Sequence, residues 1–234
     1  MEKLNNDLKE DLNKDLKEDS KVRKKRVKTL LQHFYNEEST QLEIGIDEVG
    51  RGPMFGRVYS AAVILPKNPE FKYELLKDSK KFSSEKKICE VAEYIKQNAV
   101  AWSVSWEDEN VIDSINIRNA THLAMHKAIT DITNSKKDEN KNLGNQFYLL
   151  VDGNDFKPYT YFNNQSNNIQ QINHILIEGG DNKYCSIAAA SILAKVERDK
   201  YIKSLCGCYS KLDEYYGLEK NKGYGTAKHM EGIK

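Results

Sequence analysis

Four acidic residues of this 234-residue chain could carry metal-dependent chemistry. The pair Asp47-Glu48, Asp152 and Asp181 each follow an apolar segment with the composition of a β-strand. Carboxylate oxygens bind hard cations such as Mg²⁺ or Mn²⁺ in preference to zinc. Two such ions about 4 Å apart can stabilise the attacking water and the leaving oxygen of an in-line phosphoryl displacement. The acids are therefore candidate metal ligands, although each could instead cap a turn.

A β-sheet would have to bring these acids together, because ligands of open α/β sheets bind outside the carboxyl ends of the strands. Apolar runs predict strands over 42–47, 58–65, 99–106, 147–152 and 172–177, and helical periodicity predicts helices over 83–98, 119–132 and 187–201. Residues 155–170, rich in Asn, Tyr and Gln, are predicted to form a variable loop. Hairpin-like strands followed by strand–helix alternation indicate an α/β domain with a mixed sheet.

A glycine-rich turn, Gly50-Arg51-Gly52, comes directly after the first acidic pair. It offers backbone N–H groups free of side-chain obstruction and one guanidinium beside the acids. A tight turn with positive φ would explain the glycines equally well. No Ser-His-Asp or Cys-His arrangement stands out in the sequence, and metal-assisted hydrolysis requires none.

The composition excludes several classes of protein. Thirty-six Lys and Arg against 35 Asp and Glu give a net charge of +1, so binding to nucleic acid would need a local patch. No run approaches the roughly 18 to 20 apolar residues of a membrane span, and no apolar leader follows Met1. The four cysteines form neither a disulfide framework nor paired zinc-binding units, which predicts a cytoplasmic protein.

The first 40 residues differ in composition from the rest of the chain. Residues 2–19 carry leucine at every fourth position, from residue 4 to residue 16, in a charged, low-complexity segment typical of a marginal helix or a disordered tail. Residues 21–28 are densely basic, which favours a solvated helix face over a phosphate-binding segment. We therefore predict an N-terminal extension over 1–40 and a catalytic domain over 41–234.

Several separated motifs together resemble those of the ribonuclease HII family, the type 2 ribonucleases H. The motifs are Gly45-Ile46-Asp47-Glu48-Val49-Gly50-Arg51-Gly52-Pro53, Asp78-Ser79-Lys80-Lys81, Ile115-Asn116-Ile117, Val151-Asp152-Gly153-Asn154, Gly180-Asp181, the segment 188–199 and Gly223-Tyr224-Gly225-Thr226. They occur in the family's order and span about residues 42 to 232, so their joint occurrence is specific.

The resemblance implies an RNase H-like fold with a mixed five-stranded sheet, flanking helices and a helical C-terminal part. It implies endonucleolytic cleavage of the RNA strand of RNA–DNA hybrids, incision at ribonucleotides embedded in duplex DNA, and 5′-phosphate and 3′-hydroxyl ends. By position, Asp47, Glu48, Asp152 and Asp181 would be the catalytic residues and the ligands of Mg²⁺ or Mn²⁺. We expect the protein to act as a monomer.

The same resemblance assigns substrate contacts to the glycine-rich turn and to Tyr224. Gly50, Arg51 and Gly52 would contact the ribose 2′-hydroxyl and the adjacent phosphate through their backbone, and Tyr224 would abut the sugar at the junction. The 2′-hydroxyl is the group that distinguishes RNA from DNA at a given nucleotide. The related ribonuclease HIII type lacks this Gly-Arg-Gly sequence, so the turn favours the junction-cutting type.

Three lysines and one further acid complete the set of candidate residues. Lys80, Lys81 and Lys195 are candidate phosphate or active-site contacts, or else exposed side chains without a defined partner. Asp199 lies within a predicted helix after Arg198, where an ion pair or a packing role is expected in place of metal binding.

The sequence departs from the family pattern at Phe55 and over 57–59, and it ends soon after His229. Such departures could reshape the rim of the site or weaken the grip on a hybrid. Two other functions stay open: a hybrid-binding protein with a degenerate site, and an RNase H-like nuclease that cuts DNA junctions. The presence of all four acids disfavours the first, and the Gly-Arg-Gly turn with Tyr224 disfavours the second.

Overall fold

The fold is built on a five-stranded sheet with a small hairpin beside it. The computed structural model describes residues 30–136, 142–164 and 166–234. The strands are β1 Leu42–Val49, β2 Val58–Ile64, β3 Ala101–Glu107, β4 Phe147–Asp152, β5 Thr160–Asn163, β6 Asn168–Gln171 and β7 His174–Ile177. The main sheet has the order β3-β2-β1-β4-β7. β2 pairs antiparallel with β1 and β3, whereas β4 pairs parallel with β1 and β7, which confirms the predicted mixed sheet.

Helices flank the sheet and make up the C-terminal part, as predicted. They are α1 Glu85–Asn98, α2 Glu109–Lys136, α3 Leu143–Gln146, α4 Cys185–Cys208, α5 Ser210–Tyr216, α6 Leu218–Asn221 and α7 Ala227–Ile233, with short 3₁₀ turns at Tyr73–Leu75, Ser79–Lys81 and Gly180–Asn182. The N-cap of α1 is Ser84, whose hydroxyl accepts a hydrogen bond from the Lys87 N–H at 3.3 Å.

Strand β1 lies between two hydrophobic cores. Its successive side chains point to opposite faces of the sheet, which determines the face on which its acids lie. On one face Gly45 admits helix α4, since a Cβ at that position would lie 2.2 Å from the Ser186 carbonyl carbon. On the other face Ile44 and Ile46 pack in a core that includes Met125 of α2. Because side chains alternate along a strand, Asp47 shares the α4 face with Gly45.

Helix α2 is longer than predicted and is interrupted at Asn116. The sequence predicted a helix over 119–132, whereas helical structure begins at Glu109 and crosses a kink where Asn116 has φ 66°. The Asn116 Oδ1 accepts a hydrogen bond from the Asn119 N–H at 3.0 Å, which is the geometry of an N-cap. The kink thus splits α2 into two helical segments, and the predicted helix corresponds to the second.

Two further segments form structure that the predictions did not include. The variable loop predicted over 155–170 contains the β5–β6 hairpin. The compact unit begins at Leu31, so residues 31–40 lie within it. The Glu43 carboxylate accepts hydrogen bonds from the Tyr35 N–H at 2.9 Å and the Asn36 N–H at 2.7 Å, which fastens this segment to β1. The predicted leucine stripe and basic cluster lie outside the described residues.

Over the ranges that the structure describes, no helix has both the length and the apolar character needed to cross a membrane. The four cysteines are free thiols. Burial raises the pKa of the Cys185 thiol to about 12, so this group is protonated and unreactive at neutral pH.

Candidate active site

Asp47 and Asp152 lie side by side where two parallel strands end. In the β1–β4 register Ile46 is opposite Val151, and the two aspartates are the next residues on their strands. Asp47 is only 5% exposed, and its Oδ1 accepts a hydrogen bond from the Glu48 N–H at 2.7 Å. The parallel register therefore brings together two acids that are 105 residues apart in the sequence.

Asp181 is fastened to the same edge through Asp152. Strand β7 ends at Ile177, and the chain turns so that the Gly180 N–H donates to Asp152 Oδ1 at 2.6 Å. A side chain at Gly180 would lie 2.6 Å from the Ile187 Cδ1 atom and 3.2 Å from Asp152 Oδ1, so glycine is needed for this approach. Asp181, the next residue, is 7% exposed.

Three of the four predicted acids have a raised pKa. Burial, followed by the Glu48 and Asp152 charges, holds the pKa of Asp47 well above its usual value. Burial is also the main cause of the raised pKa of Glu48, where Arg51 opposes the shift and Asp152 adds to it. The pKa of Asp181 is raised by burial and then by Asp78 and Asp152. The Asp152 charge thus acts on all three of the other predicted acids.

A fifth acid, Asp78, belongs to this group and was not predicted as a site residue. It caps the Ser79–Lys81 turn by accepting from the Lys80 N–H at 2.9 Å. The Asn182 amide donates to both Asp78 Oδ2, at 3.2 Å, and Asp181 Oδ1, at 2.9 Å. The sequence motif that contains Asp78 was recognised, but only its lysines were taken as candidates.

Two serine hydroxyls, one on helix α4 and one in the Ser79–Lys81 turn, lie next to each other near Asp47. Ser191 of α4 opposes the increase in the pKa of Asp47. The Ser191 hydroxyl also lies 3.0 Å from that of Ser79. These contacts connect the first acidic residue to the segment that carries Asp78.

The glycine-rich turn and Tyr224 lie in contact beside the acids. Arg51 is exposed, and its Nη1 is 3.5 Å from Glu48 Oε1. A Cβ at Gly52 would lie 3.3 Å from Cε1 of Tyr224, whose ring is 48% exposed. The Tyr224 carbonyl lies 3.0 Å from Nδ1 of the buried His229. The structure therefore places an exposed aromatic ring against the Gly-Arg-Gly turn.

The three candidate lysines have different surroundings. Lys80 is exposed, and its charge partly offsets the raised pKa of Asp181. Lys81 donates a hydrogen bond to the Asn182 side chain. Lys195 forms an ion pair with Asp199 at 2.8 Å, as expected for that acid. Lys80 is therefore the candidate lysine whose charge acts directly on one of the four acids.

The departures from the family pattern are packed into the structure. Arg57 lies over the Trp106 ring at 3.6 Å and over the Tyr201 ring at 4.4 Å. Phe55 packs against the small core around Ile202. Among the described residues, these contacts are with aromatic and core side chains and not with the four acids.

The carboxylate oxygens of the four predicted acids are chemically suited to a hard divalent cation. Within the described ranges, no group of three or more His, Cys, Asp or Glu side chains is already gathered closely enough to hold an ion. The Asp152 charge nevertheless contributes to the raised pKa of Asp47, Glu48 and Asp181, and a cation would relieve that repulsion. Their oxygens are the ligands preferred by Mg²⁺ and Mn²⁺. The four acids therefore provide the negative charge and the oxygen ligands that such a cation prefers. Their carboxylates would have to move closer together when the ion binds.

A mixed sheet of this order, covered by helices on both faces, defines an RNase H-like fold. A ribonuclease H2 from Pyrococcus horikoshii matches with a TM-score of 0.60 at 20% identity, over 80% of this chain and 82% of its own. A ribonuclease HIII named Bst-RNase HIII, solved in complex with Mn²⁺, matches with a TM-score of 0.56 at 15% identity, over 84% of this chain and 70% of its own. At these identities the likeness establishes the fold alone.

Sequence comparison establishes the family. The family model for ribonuclease HII matches residues 44–234. Ribonuclease HII of Bacteroides fragilis is 43% identical over 204 residues, which is 87% of each chain. That of Phocaeicola vulgatus is 41% identical over 193 residues, 82% of this chain and 83% of its own. The chain belongs to the ribonuclease HII family, and the expected enzyme class, a ribonuclease H, is confirmed.

Proposed function

We propose that this protein is a metal-dependent endoribonuclease that hydrolyses the RNA strand of RNA–DNA hybrids and incises at ribonucleotides embedded in duplex DNA. The products would carry 5′-phosphate and 3′-hydroxyl ends. The observation that carries the proposal is the sheet edge where the β1–β4 register sets Asp47 beside Asp152 and where the Gly180 N–H, next to Asp181, donates to Asp152 Oδ1. Membership of the ribonuclease HII family supports the same reaction.

In this proposal Asp47, Glu48, Asp152 and Asp181 hold Mg²⁺ or Mn²⁺. The bound ions would supply an activated water and stabilise the leaving oxygen. The Gly180 N–H fixes one Asp152 oxygen, which leaves Oδ2 for a ligand. The Mn²⁺ complex of the structurally similar ribonuclease HIII supports a divalent ion without deciding between the two metals.

The glycine-rich turn and Tyr224 would read the sugar. A Cβ added at Gly52 would lie 3.3 Å from the Tyr224 ring, so a nucleotide held by the turn would meet the tyrosine ring. The exposed Arg51 and Lys80 carry the positive charge suited to neighbouring phosphates. A turn that recognises a 2′-hydroxyl would confine cleavage to the ribonucleotide.

Incubating the protein with duplex DNA that contains one ribonucleotide is expected to give a single nick in the presence of Mg²⁺ or Mn²⁺. A full RNA–DNA hybrid should be cut at several positions, and an all-DNA duplex should stay intact. Gel analysis of end-labelled strands identifies the position and the chemistry of the ends. Hybrid binding without cleavage would instead indicate a degenerate site, and cleavage of an all-DNA junction would indicate a different nuclease.

Adding Mg²⁺ or Mn²⁺ is expected to raise the melting temperature, because the ions offset the repulsion among buried acids. At a free ion concentration ten times the Kd, the free energy of unfolding rises by about 1.4 kcal/mol. Thermal melts with and without a chelator measure the effect. The Asp152→Asn variant should gain less, and an equal gain in that variant would contradict the ligand assignment.

We also propose that the protein is located in the cytoplasm and acts as a monomer. Light scattering of the purified protein would test the second.

A further inference from the structure

Arg198 is a buried cation with no place yet in the proposed reaction. It lies in α4 and is only 1% exposed. Burial lowers the pKa of its guanidinium, but an arginine stays charged in proteins. The acid beside it in the sequence, Asp199, forms its ion pair with Lys195. The charge of Arg198 is instead satisfied by backbone carbonyl groups.

The carbonyls that Arg198 contacts belong to two separate loops. Its Nη2 donates to the Phe55 carbonyl at 3.1 Å, and its Nε donates to the Arg57 carbonyl at 3.2 Å. Both residues lie in the loop that begins with the Gly-Arg-Gly turn. Its Nη1 donates to the Lys222 carbonyl at 2.9 Å, two residues before Tyr224. One planar side chain therefore holds both loops.

The two loops also contact each other directly and pack closely against Arg198. The Met54 N–H donates to the Gly223 carbonyl at 2.9 Å. A Cβ at Gly50 would lie 2.8 Å from the Nε of Arg198, so the guanidinium lies directly under the turn. Arg198 follows Ser191 by seven residues, two turns of α4, and so projects from the same face as the serine whose hydroxyl lies 3.0 Å from that of Ser79.

We propose that Arg198 is a positioning residue that fixes the Gly50-Arg51-Gly52 turn and Tyr224 in the spacing needed to prefer a ribonucleotide over a deoxyribonucleotide. The inference rests on the proposed function. Arginine suits the task because its fork presents several donors in one fixed plane, whereas lysine offers a single ammonium group. Loss of the fork removes the donor from three carbonyls and lets the loops separate.

If Arg198 contributed only to the overall stability of the protein, its replacement would have a different effect on substrate binding. Partial unfolding lowers the active fraction equally for every ligand, so it leaves the ratio of two affinities unchanged. Misplaced sugar-reading loops weaken binding to the ribonucleotide and leave non-specific binding through phosphates in place. The ratio of the Kd for an all-DNA duplex to the Kd for the same duplex with one ribonucleotide therefore separates the two roles.

The test measures this ratio for the full chain in a chelator, where no divalent ion supports cleavage, using fluorescence anisotropy. We expect a ratio of about tenfold or more for the wild type, which is the effect of about 1.4 kcal/mol. Arg198→Met should lower it to within about twofold of unity. Arg198→Lys should give an intermediate value, and it keeps the test informative if the methionine variant does not fold.

Ile132→Ala provides the matched control, because Ile132 is buried in the core between α2 and the sheet. It should lower the melting temperature and leave the ratio at the wild-type value. An unchanged ratio in both folded Arg198 variants would overturn the positioning role. A wild-type ratio near one would also overturn it, even if the wild type nicks the ribonucleotide duplex, which is the separate test of the proposed function.

Discussion

Asp152→Asn is expected to abolish cleavage of a duplex that contains one ribonucleotide, with a loss of at least about 10³-fold in kcat, equivalent to about 4 kcal/mol of transition-state stabilisation. Asp152 is the acid whose charge acts on the other three predicted ligands. An amide oxygen can still accept the hydrogen bond from the Gly180 N–H, so the fold should be preserved. Single-turnover kinetics and a thermal melt of the variant measure both effects.

Asp199→Asn is the matched control for this experiment. Asp199 is also a half-buried aspartate and ends the 188–199 motif, but its carboxylate pairs with Lys195. The control variant should keep cleavage within about threefold of the wild type, since partly exposed ion pairs contribute little. Full activity of Asp152→Asn would place the metal site elsewhere. Inactivity of Asp199→Asn in a folded state would mean that the acid set has been chosen wrongly.

Gly50→Ala is expected to reduce kcat/KM on the ribonucleotide duplex by about 10²-fold, the effect of a misplacement near 1 Å. Gly50 has φ 108°, and an added Cβ would lie 2.7 Å from the Arg57 carbonyl oxygen and 2.8 Å from the Nε of Arg198. The turn must shift to relieve these contacts, and the shift moves the backbone N–H groups proposed to read the sugar. Steady-state kinetics on the single-ribonucleotide duplex measure the loss.

Gly217→Ala separates this effect from backbone strain. Gly217 also has a positive φ, 64°, but its nearest neighbour is the Cγ atom of the flexible Lys228 side chain at 2.9 Å. Both variants should lose roughly 1–2 kcal/mol of stability from the left-handed backbone conformation. Only Gly50→Ala should lose most of its cleavage. Equal losses in the two variants would assign the effect to instability and not to the turn.

The elements with strong local signals could be predicted from the sequence. Strand β4 was predicted with its observed bounds, and α1 was predicted to within two residues because its serine cap and apolar periodicity agree. Helix α2 was predicted too short, since Asn116 interrupts its helical geometry and the apolar stripe is not continuous across the kink. The β5–β6 hairpin was missed because polar, asparagine-rich strands lack the alternation on which a strand prediction depends.

The sequence by itself determined the chemistry available to this protein: which acids end the strands, that a Gly-Arg-Gly turn follows the first of them, and that the motifs occur in the order of one family. Only the tertiary structure decided that Asp78 joins the acids through Asn182, 104 residues away, and that Arg198 holds two loops together. Propensity and periodicity act over a few neighbouring residues, whereas these contacts depend on strand register and helix packing between distant segments.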